Sequence, residues 1–210
     1  MSSSIAIGRI LRASAAGCIV GCQTLQADIP AIGDMVSIPI PQKELIYGMI
    51  CNILVDDDGL VRQLVTSDQI PESIIQDNRL NRNIPLEMEV RFIGHTRQQV
   101  CMHLLPPRPP FSLDRMLLCS SDELKAFLSA GQYGYFRHLL RDKSPFLEEI
   151  LAAHLRNAAG LMEPIWLKEA LNTLILLLRD DYDSLMQMLS ALSDSGLLES
   201  MDLGGQYGEA

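Results

Sequence analysis

The sequence predicts an α+β protein of two segregated domains, a small closed antiparallel β-barrel followed by an all-α helical bundle. Three observations carry that prediction. Residues 5–65 hold short β-rich apolar runs, each ended by Gly, Pro or Asp. After residue 111 the apolar period changes to that of helices. Between the two lies Pro106-Pro107-Arg108-Pro109-Pro110, a stiff extended segment that donates almost no backbone hydrogen bonds. The expected organisation is a barrel over 1–105 with a long loop at 66–86, a proline-rich linker at 106–111, a helical domain over 112–200 and a tail at 201–210.

In the first half, residues 5–12 and 17–24 are two apolar runs, with Gly17 and Gly21 allowing a bulge in the second. Pro30 and Gly33-Asp34 lead into a third run at 35–40, and Pro39 and Pro41 place its end at a rim. The fourth run, 45–55, is long and mostly apolar. Asp56-Asp57-Asp58-Gly59 reads as a solvated turn into a returning strand at 60–65. Residues 66–86 are polar, with Pro71, Pro85 and a short helix expected near 71–77; the segment is either a binding excursion or an idle surface insertion. Met88, Val90 and Phe92 then alternate with Glu87, Glu89 and Arg91, a strand with one wet face. Gly94 to Gln98 makes a turn, and Gln99 to Leu105 pairs back with Val100, Met102 and Leu104 on one face. The prolines then end regular structure.

In the second half, Ser120 and Glu123 form a capping box for a helix with Leu124, Phe127 and Leu128 on its buried stripe. Tyr135 to Arg141 is a further short helix. Ser144-Pro145 starts the next, with a stripe of Phe146, Leu147, Ile150, Leu151, Leu155 and Ala158 closed by Gly160. Pro164 opens a long leucine-rich stretch, and Asp180-Asp181 makes it either one bent rod or two helices. The apolar surface of 165–178 exceeds one stripe, so it is the central helix of the bundle or docks a partner.

Composition bounds the function. Of 210 residues, 48% are hydrophobic, enough for a folded core, and the formal net charge is −9, which opposes a broad grip on nucleic acid. The charge is uneven: residues 1–110 carry 9 basic and 11 acidic residues, residues 111–210 carry 8 and 15. The five cysteines show no zinc spacing and read as buried free thiols of a reducing compartment. The N-terminus lacks a basic region followed by an apolar core, and the apolar run Leu174 to Leu178 is far below the roughly 20 residues of a membrane span. A cytoplasmic protein without a membrane partner is expected.

No phosphate-cradling loop, dinucleotide-binding glycine motif or nucleophile elbow occurs. The four histidines are scattered, and His103 alternates with Met102 and Leu104, so it is expected on the solvent side of its strand. No catalytic residue, cofactor or metal is expected. Arg62, Arg79, Arg82, Arg91 and Arg97 are candidate contacts for nucleic acid or an acidic partner, since guanidinium forks suit phosphates.

The first half also resembles a known family. Ile7-Gly8-Arg9-Ile10, Ile32-Gly33-Asp34-Met35-Val36 and Ile46-Tyr47-Gly48-Met49-Ile50 follow the order of motifs in the HAS-barrel, the N-terminal β-barrel of HerA-type DNA-translocating ATPases and rotary ATP synthases. Pro107-Arg108-Pro109-Pro110 is similar to the exit from that barrel. The resemblance covers residues 5–110. It implies structural roles for Gly8, Gly33 and Gly48 at barrel bends, and an assembly role for the barrel, because barrels of neighbouring subunits pack side by side in rings. HerA-type ATPases work with a nuclease in DNA-end resection, a DNA repair step. The chain departs from the family after residue 110, where helices stand in place of an ATPase core. The resulting expectation is a non-catalytic assembly or adaptor protein that docks to itself, to a HerA-like ATPase or to its nuclease partner. The alternative is a nucleic-acid-binding barrel, and the third is an enzyme with an unrecognised site.

Overall fold

Residues Ile46 to Cys51 are all buried, on both sides of one strand. That is why the run is continuously apolar: one face looks into a barrel and the other lies under helices. The computed structural model describes residues 5–23, 30–55, 71–73, 85–141 and 146–197. The strands are β1 (Ala6–Ala13), β2 (Gly17–Gln23), β3 (Met35–Ile40), β4 (Glu44–Val55), β5 (Pro85–Arg97), β6 (Val100–Met102) and β7 (Arg115–Leu118). The helices are α1 (Ser121–Leu128), α2 (Phe136–Leu140), α3 (Leu147–Ala159), α4 (Pro164–Leu178) and α5 (Tyr182–Asp194).

Six strands close a barrel in the order β1-β7-β3-β4-β5-β2, with β2 pairing β5 to complete the ring and β6 extending β5 as a hairpin. All these pairings are antiparallel. The interior is filled by Ile7, Ile10, Val20, Val36, Ile38, Ile46, Ile50, Met88, Val90, Phe92 and Met116. A second core lies outside the wall. Met35, Tyr47, Met49, Cys51 and Ile93 project outward from the strands and pack with Phe127, Tyr135, Phe136, Leu151, Leu155, Trp166 and Leu174 of the helical half.

This packing changes the expected organisation in two ways. The prolines do not end the barrel: β7 follows them and slots between β1 and β3. Pro106 and Pro110 are themselves buried, so the segment is a strap across the barrel rather than a spacer. The helices share one apolar core with the outer wall, so the two halves do not stand apart as segregated domains.

Smaller differences have local causes. β5 runs on to Arg97, past Gly94, and turns at Gln98-Gln99, both with positive φ, as a two-residue hairpin of that hand requires. The hairpin reverses the expected face of the returning strand. Val100 and Leu104 are exposed, and His103 is buried. α3 starts at Leu147, because Phe146 stands in the left-handed region at φ 68 with its ring exposed. Ser144-Pro145, the 56–58 turn, the strand at 60–65 and the tail at 201–210 lie outside the described residues, as does most of the 66–86 loop and the 71–77 helix. Residues 164–194 form two helices: Asp181 caps α5 by accepting from the Ser184 amide.

Candidate functional site

A short turn at residues 111–114 holds two large apolar side chains out of the barrel wall. Phe111 is 75% exposed and Leu113 67%. The turn is tightly pinned. The Phe111 amide donates to the Asp114 carboxylate at 2.8 Å, and the Asp114 amide donates back to the Phe111 carbonyl at 3.2 Å. The Leu113 amide donates to the Ile10 carbonyl at 2.8 Å, the Ile10 amide to the Asp114 carbonyl at 3.0 Å, and the Arg9 guanidinium to the Leu113 carbonyl at 2.9 Å. Leu113 sits at φ 71, a conformation that costs a branched L-residue about 1–2 kcal/mol. Half-exposed Leu11 of β1 adjoins the turn, where the Ser112 hydroxyl donates to its carbonyl. The chain therefore commits strain and a set of hydrogen bonds to presenting apolar groups to water.

The titratable groups near the barrel–helix junction serve as braces. His154 of α3 is buried; its Nδ1–H donates to the Gly33 carbonyl at 3.2 Å, and its Nε2 accepts from the Tyr135 hydroxyl at 3.0 Å. Burial pushes its pKa down to about 4, so the ring is neutral at pH 7. His103 Nε2–H donates to the Phe127 carbonyl at 3.1 Å, and its ring lies 4.5 Å from that of Phe127. His95 Nδ1–H donates to the Leu104 carbonyl at 3.0 Å. Four of the thiols are held protonated: burial pushes Cys18 up to about 12 and Cys101 up to about 11, and raises Cys22 and Cys119 as well. Protonated thiols in apolar surroundings are poor nucleophiles. Among the described residues, no group of three or more His, Cys, Asp or Glu is placed to hold a metal ion, and no helix is long and apolar enough to cross a membrane.

Of the five candidate arginines, Arg62, Arg79 and Arg82 lie outside the described residues. Arg91 is half-buried on β5, its Nη2 3.3 Å from Glu89. Arg97 is exposed at the far end of the same strand, roughly 20 Å along it. The structure does not bring those two together. Of the three glycines, Gly33 takes φ 87 in the turn beneath α3, where a Cβ would come within 2.8 Å of the His154 amide nitrogen. Gly48 lies at a β4–β5 register shift, where a Cβ would meet Val90 Cγ1 at 2.4 Å. Gly8 sits at the corresponding shift between β1 and β7.

Two further surfaces are open. α4 leaves Ile165, Ile175, Leu176 and Leu177 exposed while burying Trp166, Leu167, Ala170, Leu171, Leu174 and Leu178. A groove of about 770 Å³ runs between the 31–34 turn, α3 and α5, floored by Ala152 and Ala191 and rimmed by Glu148 and Asp194. Sequence reasoning found the apolar excess of α4 but not the 111–114 turn, whose only signal is Phe and Leu flanking Ser beside an Asp that can bond its own backbone. Compared with known proteins, the chain matches no family model and no curated protein.

Proposed function

We propose that this chain is a non-catalytic assembly protein whose barrel docks side by side with another barrel, either its own copy or that of a HerA-like ATPase or the ATPase's nuclease partner. The observation that carries the reading is the pinned apolar turn at 111–114. Along the ring, each of the six strands is paired on both sides, so contact through the wall comes from side chains rather than strand addition. Phe111 and Leu113, with Leu11 beside them, are large outward apolar groups of that wall. Burying a Phe or Leu contributes about 1.5–3 kcal/mol each, and a rigid presenting loop loses little entropy on docking. The exposed side of α4 supplies a second face, through which the helical half holds another protein.

The test is light scattering after size-exclusion chromatography, on the full chain alone and mixed with a HerA-type ATPase. Wild type is expected as an oligomer or a stable complex, and Phe111→Glu with Leu113→Glu as a folded monomer that binds neither. A strict wild-type monomer that ignores the ATPase overturns the reading.

A further inference from the structure

The 111–114 turn is flanked by charge as well as apolar surface. Arg9 of β1 and Arg115 of β7 stand directly opposite each other across the two strands, and both are exposed on the outer wall where the turn emerges. Their Cβ atoms are roughly 5 Å apart, a like-charge pairing that weakens a sheet. Among the described residues, neither guanidinium meets a carboxylate. Asp114, the acid of the turn, accepts from the Phe111 amide. Leu11 widens the apolar part by lying over Gly21, where a Cβ would stand 3.3 Å from its Cδ2. The result is a knob of Phe111, Leu113 and Leu11 beside two arginines.

The groove between the 31–34 turn, α3 and α5 has the opposite character. Its volume of about 770 Å³ lies within the range of clefts that enclose a ligand, roughly 300–1,000 Å³. Ala152, Ala153 and Ala191 line it with Ile32, which is 40% exposed. Glu148, Glu149 and Asp194 stand around this apolar floor, and among the described residues none of the three is in an ion pair. Arg156 is the one cation among the lining residues, roughly 10 Å along α3 from Glu149.

We propose that the knob of one copy seats in the groove of a second copy, head to tail. Phe111 and Leu113 lie on the alanine floor, and Arg9 and Arg115 face the carboxylates of the rim. The inference rests on the reading of the 111–114 turn as a docking element and names the surface that receives it. Two observations select this arrangement. In a two-fold contact the patch would meet itself, setting Arg9 and Arg115 against their own counterparts with no carboxylate between them. Nor can a chain fill its own groove. β7 runs antiparallel to β3 with Leu118 opposite Val36, so the 31–34 turn lies beyond one end of β7 and the 111–114 turn beyond the other, roughly 13 Å or more away. The hydrogen bonds to Ile10 and from Arg9 hold the knob at its end. A knob and a hole at different places on one chain make a heterologous contact, which repeats into a closed ring or a filament.

Complementation between two defective chains tests this. Phe111→Glu with Leu113→Glu removes the knob and leaves the groove open. Ser190→Trp, at an exposed position on the groove, blocks the hole and leaves the knob. Both full-length variants are checked for native circular dichroism, then run alone and mixed by size-exclusion chromatography with light scattering. Each is expected to be monomeric alone, and the mixture to form a 1:1 heterodimer and nothing larger. Glu149→Lys, also exposed, is the second groove variant should the tryptophan disturb α5, with the same expected result. Adding Arg115→Glu to the Ser190→Trp chain is expected to weaken the heterodimer roughly tenfold. Failure of the mixture to dimerise, groove variants that assemble like wild type, or an unchanged affinity with Arg115→Glu overturns the inference. A wild type that is monomeric alone yet binds a HerA-type ATPase through the turn overturns the inference and leaves the assembly reading standing. A strict monomer that ignores the ATPase overturns both.

Discussion

His154 joins three parts of the molecule through one ring: α3 on which it sits, the Gly33 turn of the barrel, and Tyr135 beside α2. Both ring nitrogens are used by a neutral imidazole, and the site is fully enclosed. Its native pKa near 4 lies below the unfolded value of about 6.5. Between those two values the unfolded chain holds a proton that the folded chain refuses. Stability therefore falls as pH drops from about 6.5 toward 4, by about 3 kcal/mol from this ring. Lowered values for His103 and His138 act in the same direction. Urea unfolding at pH 7 and pH 4.5 measures the loss, and His154→Gln, which cannot take up that proton, is expected to reduce the pH dependence while lowering stability at pH 7. An equal slope in both proteins would show that other groups carry the acid sensitivity. None of this is legible in the sequence, where His154 is simply one polar residue on an apolar helix face. The partner carbonyl is 121 residues away.

At the scale of elements, legibility follows locality. The capping box at Ser120 and Glu123 is written within four residues, and it forms as those residues imply: the Ser120 hydroxyl accepts from the Glu123 amide and the Glu123 carboxylate accepts from the Ser120 amide. Ser120→Ala should cost about 1 kcal/mol and lower the melting temperature by roughly 2–4 °C in a protein of this size. Calorimetry checks this, and an unchanged melting temperature would mean that α1 is held by Phe127 and Leu128 alone. Pro164 at the start of α4 and Asp181 at the cap of α5 are local signals of the same kind. β7 is the opposite case. Arg115-Met116-Leu117-Leu118 has no β-branched residue, follows a proline strap and has the composition of a helix. It is a strand because β1 and β3 each present an open edge to it, a fact of topology rather than propensity. The burial of His103 is hidden for a related reason, since two positive-φ glutamines set the phase of the returning strand.

For the whole molecule, the consequence is that neither half is a unit. Cutting at residue 110 removes Met116 from the barrel interior and leaves β1 and β3 unpaired along facing edges. Cutting after Cys119 restores the ring but strips the cover from Tyr47, Met49, Cys51 and Ile93, which form part of the second core. Four outward apolar side chains on adjoining strands then face water as one patch, the kind of surface that drives aggregation. A fragment 1–110 is expected to show poorly dispersed amide NMR signals, a fragment 1–119 native-like strand content with strong association, and the full chain one cooperative transition. The last follows because the wall loses its apolar cover when the helices unfold, and its outer face is then exposed to water. Two separable transitions in the full chain, or a well-dispersed monomeric 1–110, would mean that the barrel is closed by something other than β7 and that the shared core contributes little to holding the halves together.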